Sequence, residues 1–588
     1  MSVRSWAGRS LAAIASLPLS LRVVLLLVAI VHGVGLSWGL PASDTWDVDG
    51  VAPRDFLPGL AETYTPGHFY TYPPLHLALL AILTAPVTVL AIVNAGGTRI
   101  PDVLSEIVAV PYMTAMASVA RVTALLMSVG ITLAVAKIAE EIAPATPPDA
   151  RRRHAPTFAA GVVGLSIPFT YYAHTSNLDV PYLFWASLAA LALVRALARQ
   201  EPGRLRSAAV FAALAIATKD QAYALFLGSA PVLVVAYAWR NPSERSKVLR
   251  AALGSAAIAL VLVLLVDGAV TNPAGFRARL AFLGGSASQD FATYVKGPGG
   301  WLRILVDTGA ALSAHYPAPL FVAGLYVLGA FESVRRRGLA AWTPLALALS
   351  FTVFFNMSAR RVEERFTLPQ VVFLAPYAGI ALARLVSARP LRWLVRGAVA
   401  SAALLSLYAA LELDANLLFE PRYRTEAFVA GRARAGDVVE VHGLNVYLPR
   451  IHALGASRAV RVGPTPPSRR GPIPGLEEVE APYGEILDRA PRFVVVNECW
   501  VWRYLPDAFV QTPEGRIRPT TQLAEAKDAD ATSFYEALFG GLLPYRLAQE
   551  ARMEHPLFRA RKLHASVSCP VYTFERVDAR EGEGVGLP

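Results

Sequence analysis

Two cysteines in 588 residues, Cys499 and Cys569, exclude a disulfide-built scaffold, and neither stands in a CxxC pair or beside histidines at metal-ligand spacing. No resident metal or cofactor is expected from them. Charge is scarce as well: 17% of residues are charged and 54% hydrophobic, against about a quarter charged in soluble domains. That balance excludes an ordinary soluble protein. The chain also lacks a glycine-rich phosphate loop and any internal repeat. The net charge of +11 does not point to nucleic acid, because the basic residues sit in short clusters between apolar runs, where they mark topology.

What is present is a series of apolar runs long enough, or nearly so, to cross about 30 Å of hydrocarbon. They cover 20–40, 113–141, 156–173, 180–198, 204–218, 222–239, 250–267, 315–334, 340–357, 367–387 and 393–412, which predicts about eleven transmembrane helices. Arg4 and Arg9, Arg151–Arg153, Arg199/Arg204/Arg206, Arg240/Arg245/Lys247/Arg250, Arg335–Arg337 and Arg389/Arg392/Arg396 occupy every second connection. Placing them inside gives a cytoplasmic N-terminus and an extracytoplasmic C-terminus in a plasma or inner membrane. A further apolar segment, 73–94, would reverse every later loop if it crossed, so it is expected to be a juxtamembrane or re-entrant helix on the outer face.

After about residue 413 the composition turns polar. Short β-rich runs, "GDVVEVHG" (436–443), "RFVVVNECW" (492–500) and "PVYTFERV" (570–577), alternate with a helix over 531–541 and a Pro/Gly loop over 463–475. The fold class is therefore an all-α polytopic membrane domain, 1–412, followed by a soluble extracytoplasmic α/β domain, 413–588. Cys499 closes one predicted strand and Cys569 opens another. A disulfide in an oxidising compartment and two buried thiols are both consistent with that placement.

Polar residues able to do chemistry gather in the connections on the outer side. "WDVDGVAPRDF" (46–56), with Asp44 just before it, puts Asp47 and Asp49 beside Trp46, ahead of a short helix over 53–62. "GHFYTYPPLH" (67–76) adds His68, Tyr70 and Tyr72, suited to a sugar face. "YYAHTSNLDVPYLFW" (171–185) supplies His174, Asn177 and Asp179, of which Asn177 and Asp179 also suit a helix cap. Lys219 and Asp220 interrupt a long apolar stretch, where they would either pair with each other or serve a ligand. Arg360, Arg361 and Arg365 stand outside against the topological trend, and planar guanidinium groups suit phosphate unless Glu363 and Glu364 absorb them. External carboxylates for base work, cations for phosphate and a membrane body for a lipid chain point to sugar transfer from a lipid-linked phosphosugar.

These motifs resemble those of the GT-C glycosyltransferases, in particular bacterial relatives of the dolichyl-phosphate-mannose protein mannosyltransferases and the lipid A aminoarabinose transferases. The resemblance covers roughly residues 20–412. "WDVDGVAP" (46–53) and "YTYPPLH" (70–76) are similar to the family's acidic first loop and juxtamembrane segment, which implies Asp49 as the catalytic carboxylate. Gly50 stands where the family has a second acid, for which Asp47 is the substitute at hand. "NLDVPYLFW" gives Asp179 a supporting role, "ATKDQAY" (217–223) implies Lys219 as a ligand of the donor phosphate, and "RVEERFTLP" (361–369) implies Arg365 with Arg361. His68, Tyr70, Tyr72, His174, Asn177, Asp179 and Asp220 are the expected sugar or acceptor contacts.

The expected function is an inverting transfer from a polyprenyl-phosphate sugar to a protein, lipid or glycan acceptor, with the bilayer as a further partner and no nucleic acid. A transporter or flippase of a lipid-linked or anionic substrate, or an inactive relative acting in assembly, is the alternative.

Overall fold

The computed structural model describes residues 15–97, 99–143, 150–387, 392–455, 457–464, 472–504, 528–561 and 567–577. Arg4, Arg9, Arg389 and residues 465–471 of the Pro/Gly loop lie outside the described residues, as do the side chains of Arg151–Arg153, Arg336, Arg337 and Arg392.

The chain is a mostly helical, multi-pass membrane protein with a small C-terminal sheet domain. Among the described residues eight helices are long and apolar enough to cross a membrane: Leu75–Asn94, Val110–Ile142, Asp179–Arg199, Asp220–Arg240, Pro242–Val266, Leu339–Met357, Glu364–Ser387 and Trp393–Ala430. A pair bent by 114°, Pro298–His315 with Pro319–Arg335, brings the number to nine if it counts as one span. The expectation was eleven, and each difference has a local cause. The run 20–40 is helical only over Leu19–Val31, because Gly35 and Gly39, at φ +89° and +73°, carry the chain through turns. The run 156–173 divides into Ala150–Gly164 and Ile167–Ala173, the second helix restarting with Pro168 in its first turn. The run 204–218 yields a 13-residue helix, Arg204–Ile216, about 20 Å long.

Leu75–Asn94 is long and apolar enough to cross, yet both of its ends are tied to one end of the helical body. The Leu75 N–H donates to Ala217 O (3.1 Å), just past the end of Arg204–Ile216. At the other end Asn94 Nδ2 donates to the Tyr112 hydroxyl (2.7 Å), at the start of Val110–Ile142, where Thr114 also bonds Ala42.

The best-buried of these spans is Glu364–Ser387, against which Ala150–Gly164 and Pro319–Arg337 pack. Glycine makes these crossings close. A Cβ at Gly379 would lie 2.5 Å from Ala155 O, and one at Gly329 would overlap Tyr377 O.

The C-terminal sheet comprises β1 (Val438–His442), β2 (Arg458–Gly463), β3 (Leu476–Glu480), β4 (Phe493–Asn497), β5 (Tyr545–Ala551) and β6 (Val571–Arg576). Their order is β3-β2-β1-β4-β6-β5, with β3 through β4 mutually parallel and β6 and β5 antiparallel. β1 and β4, buried on both faces, are the apolar runs expected of central parallel strands. The helix expected over 531–541 is Ala529–Phe539. Cys499 and Cys569 form a disulfide that joins the turn after β4 to the segment entering β6.

The helical character outlasts residue 412: Arg392–Leu418 runs through it and a short helix, Pro421–Ala430, follows. This region meets the first loop closely. The Trp46 indole donates to Leu448 O (3.0 Å), Arg54 to Pro472 O (3.1 Å) and Arg450 to Leu40 O (2.9 Å). The fully buried Arg422 guanidinium lies 3.8 Å over the Trp46 ring.

Candidate functional site

The loop 44–56 is held from two sides. Asp44 accepts from Arg54 (2.6 Å) and from Asn445 Nδ2 (2.5 Å) of the sheet domain. Asn445 Oδ1 in turn accepts from the buried Arg461 on β2, which pairs with Glu478 on β3. On the other side Gly50 bridges Asn177, Val51 N–H donates to Ser176 O (3.4 Å) and Ser176 Oγ donates to Val51 O (2.9 Å). The loop thus runs antiparallel beside Ser176 and Asn177.

Within this loop the two aspartates differ. Asp47 is buried, and its Oδ1 accepts from the Tyr171 hydroxyl (3.2 Å) and the Asp49 N–H (3.4 Å). Asp49 is partly exposed and forms an ion pair with Arg365. Arg365 also contacts Glu363 (3.1 Å), which pairs with Arg361 (2.5 Å). Both guanidinium groups stack on Phe366, with Arg365 at 4.5 Å and Arg361 at 4.7 Å. Burial alone would raise the Glu363 carboxyl, but Arg365 and Arg361 outweigh it and hold it below the usual carboxylate range.

A second pair lies alongside. Lys219 Nζ donates to Asp179 Oδ1 (2.7 Å), which also accepts from Gln221 Nε2 (3.1 Å), and Asp179 is fully buried. Tyr72 and Tyr172 lie within electrostatic range of both pairs. Both phenols feel the charges of Asp49, Arg365 and Asp179, and burial, followed by Asp49, pushes the Tyr72 hydroxyl up to about 12. Asp49, Arg361, Arg365, Tyr72, Asp179 and Lys219 therefore converge at one end of the helical body. Tyr172, Gln221 and Glu363 complete the group. Sequence reasoning missed Tyr172 and Gln221 because each is an ordinary neighbour of a residue that drew attention first; Glu363 was the acid expected to absorb the arginines, and it pairs with both Arg361 and Arg365.

Other candidates are placed elsewhere. Arg360, at φ +54°, donates to Tyr294 O and Gln289 Oε1 (both 2.8 Å) and holds the 286–296 loop rather than the charge cluster. His174 is buried, bonded to Thr170 O (2.7 Å) and Val34 O, with Asp414 Oδ1 at 3.4 Å. Its apparent neighbourhood with Asp179 was sequential only. Asn177 Oδ1 accepts the Asp179 N–H (2.8 Å), a capping role. His68 is exposed, and its carbonyl accepts from Asn272.

Lys219 and Asp220, adjacent in sequence, face different partners. Asp220 pairs with Arg279, a buried residue that also approaches Asp267 (3.8 Å) and stacks on Tyr70 at 4.9 Å. The Tyr70 hydroxyl donates to Asp267 O. Burial pushes the Asp267 carboxyl up to about 7, with Arg279 opposing and Asp220 adding to the rise. Tyr70 and Asp220 thus belong to a buried charge network that joins residues 70–71 to 267–279, beside the cluster but distinct from it.

Gly50 has a steric reason. A Cβ there would lie 3.0 Å from Asp47 Cβ, 3.1 Å from Asp47 Oδ2 and 3.2 Å from Ser176 Oγ. Gly50→Glu, which installs the acid found in the resembled family, is therefore expected to displace Asp47. The cost is about 1–3 kcal/mol, as for overpacked sites. Activity and thermal stability of this variant should both fall; a gain in activity would show that the loop has room for a second acid.

Fold and cluster together define a multi-pass membrane protein with paired, partly buried charges beneath a first loop clamped by a C-terminal α/β domain. No family model and no curated protein matches the chain. Among solved structures it is similar to ArnT from Cupriavidus metallidurans bound to undecaprenyl phosphate, at 16% identity over 94% of this chain and 97% of that one, TM-score 0.45. It is similar also to the oligosaccharyltransferase AglB from Archaeoglobus fulgidus, in complex with an inhibitory peptide and a dolichol-phosphate, at 13% identity over 94% and 88%, TM-score 0.41. The S. cerevisiae protein O-mannosyltransferase Pmt1-Pmt2 complex bound to the sugar donor is similar over 46% of this chain and 35% of that one, at 15% identity and TM-score 0.29.

Proposed function

We propose that the chain is a glycosyltransferase that moves a sugar, with inversion, from a polyprenyl-phosphate-linked donor to an acceptor hydroxyl on the extracytoplasmic side, its N-terminus being cytoplasmic. The observation that carries this reading is the juxtaposition of the Asp49–Arg365 and Lys219–Asp179 pairs about Tyr72 and Tyr172. In the resting chain each cation is aimed by a carboxylate, Arg365 by Asp49 and Lys219 by Asp179. A donor phosphate entering between the pairs competes for Lys219 and Arg365. As Arg365 turns to the phosphate, Asp49 becomes a stronger base. Asp49 then takes the acceptor proton while the acceptor oxygen bonds the anomeric carbon. The bond from that carbon to the phosphate oxygen breaks, and its electron pair leaves with the polyprenyl phosphate, whose charge Arg365 and Lys219 stabilise.

The test supplies the purified full-length chain with a panel of polyprenyl-phosphate sugars and an acceptor extract, and measures free polyprenyl phosphate. Release from at least one donor is expected, with Lys219→Met raising KM for that donor. Movement of intact donor across a vesicle membrane without release would instead identify a flippase.

A further inference from the structure

The loop between β5 and β6 leaves the sheet domain and runs along the helix Arg392–Leu418. The His555 ring packs on Phe419 at 5.0 Å, whereas Phe558 packs on Tyr408 at 5.4 Å. The chain then returns: Arg559 N–H donates to Glu412 Oε1 (3.2 Å) and Arg561 N–H to Asn416 Oδ1 (2.8 Å). Residues 555–561 thus lie against the helix between Phe419 and Tyr408: the His555 and Phe558 rings stack on each other at 4.9 Å and bridge those two aromatic side chains, the chain turns at Leu557–Phe558, and residues 559–561 run back to Glu412 and Asn416.

Two observations say what surrounds the tip. Leu404, Leu405, Tyr408 and Leu411 are exposed on a helix long and apolar enough to span a membrane, and Leu557 at the tip is 69% exposed beside them. The tip therefore continues the face that this helix turns to lipid. The strap's backbone is also served from the helix: Tyr408 Oη donates to Leu557 O (2.5 Å) and Asn416 Nδ2 to Arg559 O (2.9 Å), while His555 Nδ1 accepts from Leu557 N–H (3.2 Å). Irregular chain needs such satisfaction to lie at membrane depth. The first acidic side chain of the helix near this end is Glu412, one turn above Tyr408, so the tip sits where headgroups give way to acyl chains. Arg559, exposed, and Arg561, half-buried, flank it on the headgroup side.

We propose that residues 555–561 are a membrane anchor of the C-terminal domain, with Leu557 and Phe558 inserted among lipid acyl chains and Arg559 and Arg561 at the phosphate level. The proposal rests on reading Trp393–Ala430 as a membrane span and not on the sugar-transfer chemistry.

The test is site-directed spin labelling of the full chain in nanodiscs of phosphatidylethanolamine and phosphatidylglycerol. The two native cysteines are consumed by the disulfide, so Leu557→Cys offers one labelling site. Leu404→Cys, on the helix, and Leu542→Cys, exposed in the sheet domain at the far end of β5, are the references. The ratio of oxygen to water-soluble nickel-complex accessibility at position 557 is expected to match that at 404 and to exceed that at 542 several-fold. A ratio equal to that at 542 overturns the proposal. So does exclusion of both reagents at 557, which would mean that protein, a second copy or a partner, covers the tip.

Discussion

Asp49→Asn is expected to lower the rate of sugar transfer about 10²- to 10⁴-fold, the range contributed by a positioned general base. Donor KM should change far less. Asparagine keeps the shape of the side chain and a carbonyl for Arg365 to contact, and Arg365 retains its second partner, Glu363, at 3.1 Å. The measurement is steady-state release of polyprenyl phosphate on a donor that the wild type consumes. Asp47→Asn is the informative companion, because the two aspartates are bound so differently. Asp47 is buried and accepts from Tyr171 and the Asp49 backbone, so its replacement should disturb loop position and thermal stability together. If Asp49→Asn turns over donor like the wild type, the carboxylate assignment is wrong. Equal loss in both variants without a change in melting would mean that the chemistry is shared.

Arg279→Leu is expected to have the largest effect on stability, about 3–5 kcal/mol, the range for stripping one partner from a buried ion pair. It would leave Asp220 and Asp267 facing each other without the guanidinium that neutralises both. Thermal melting of the full chain in detergent should show this. Adding Asp220→Asn and Asp267→Asn to the variant should recover most of the loss, since no buried charge is then left alone.

The same network sets a pH dependence. The Asp267 carboxyl, near 3.8 when unfolded, rises to about 7 in the fold, chiefly by burial. The folded chain therefore holds a proton there that the unfolded chain has released. Its contribution to stability is present at low pH and is lost as pH rises from about 4 through about 7. Asp267→Asn removes that dependence. The melting temperature of the variant relative to wild type should rise between pH 6 and pH 8.

The helical membrane body was legible from composition and long apolar runs, because hydrocarbon imposes them whatever the packing. Helix ends were not legible where glycine or proline interrupts an apolar run, as at Gly35, Gly39 and Pro168. In the sheet domain, β1, β4 and β6 could be read from their β-branched residues. β2, β3 and β5 could not. β2 and β3 carry charges that neutralise one another only across strands, as Arg458–Glu477 and Arg461–Glu478 do, and β5 alternates polar residues along an edge. At the candidate site the motif residues Asp49, Asp179, Lys219, Arg361 and Arg365 could be found from scarcity, since charge beside apolar runs is conspicuous. Partners supplied by distant helices, Arg279 above all, could not. His174 and Arg360 show the converse, conspicuous residues whose partners lie in the scaffold.

The clasp on the first loop has a consequence for the order of synthesis. Asp44 and Trp46 are bound by Asn445 and Leu448, 401 and 402 residues later in the chain. At about 5–20 residues per second, the loop leaves the ribosome about 20–80 s before these partners exist. During that interval the chain acquires Asp49, Asp179, Lys219 and Arg365 in turn, so every member of the charge cluster is in place before anything holds the loop from its sheet-domain side. Completion of the C-terminal domain is thus the last step that fixes Asp49. A nascent or truncated chain carries the charges without the clasp.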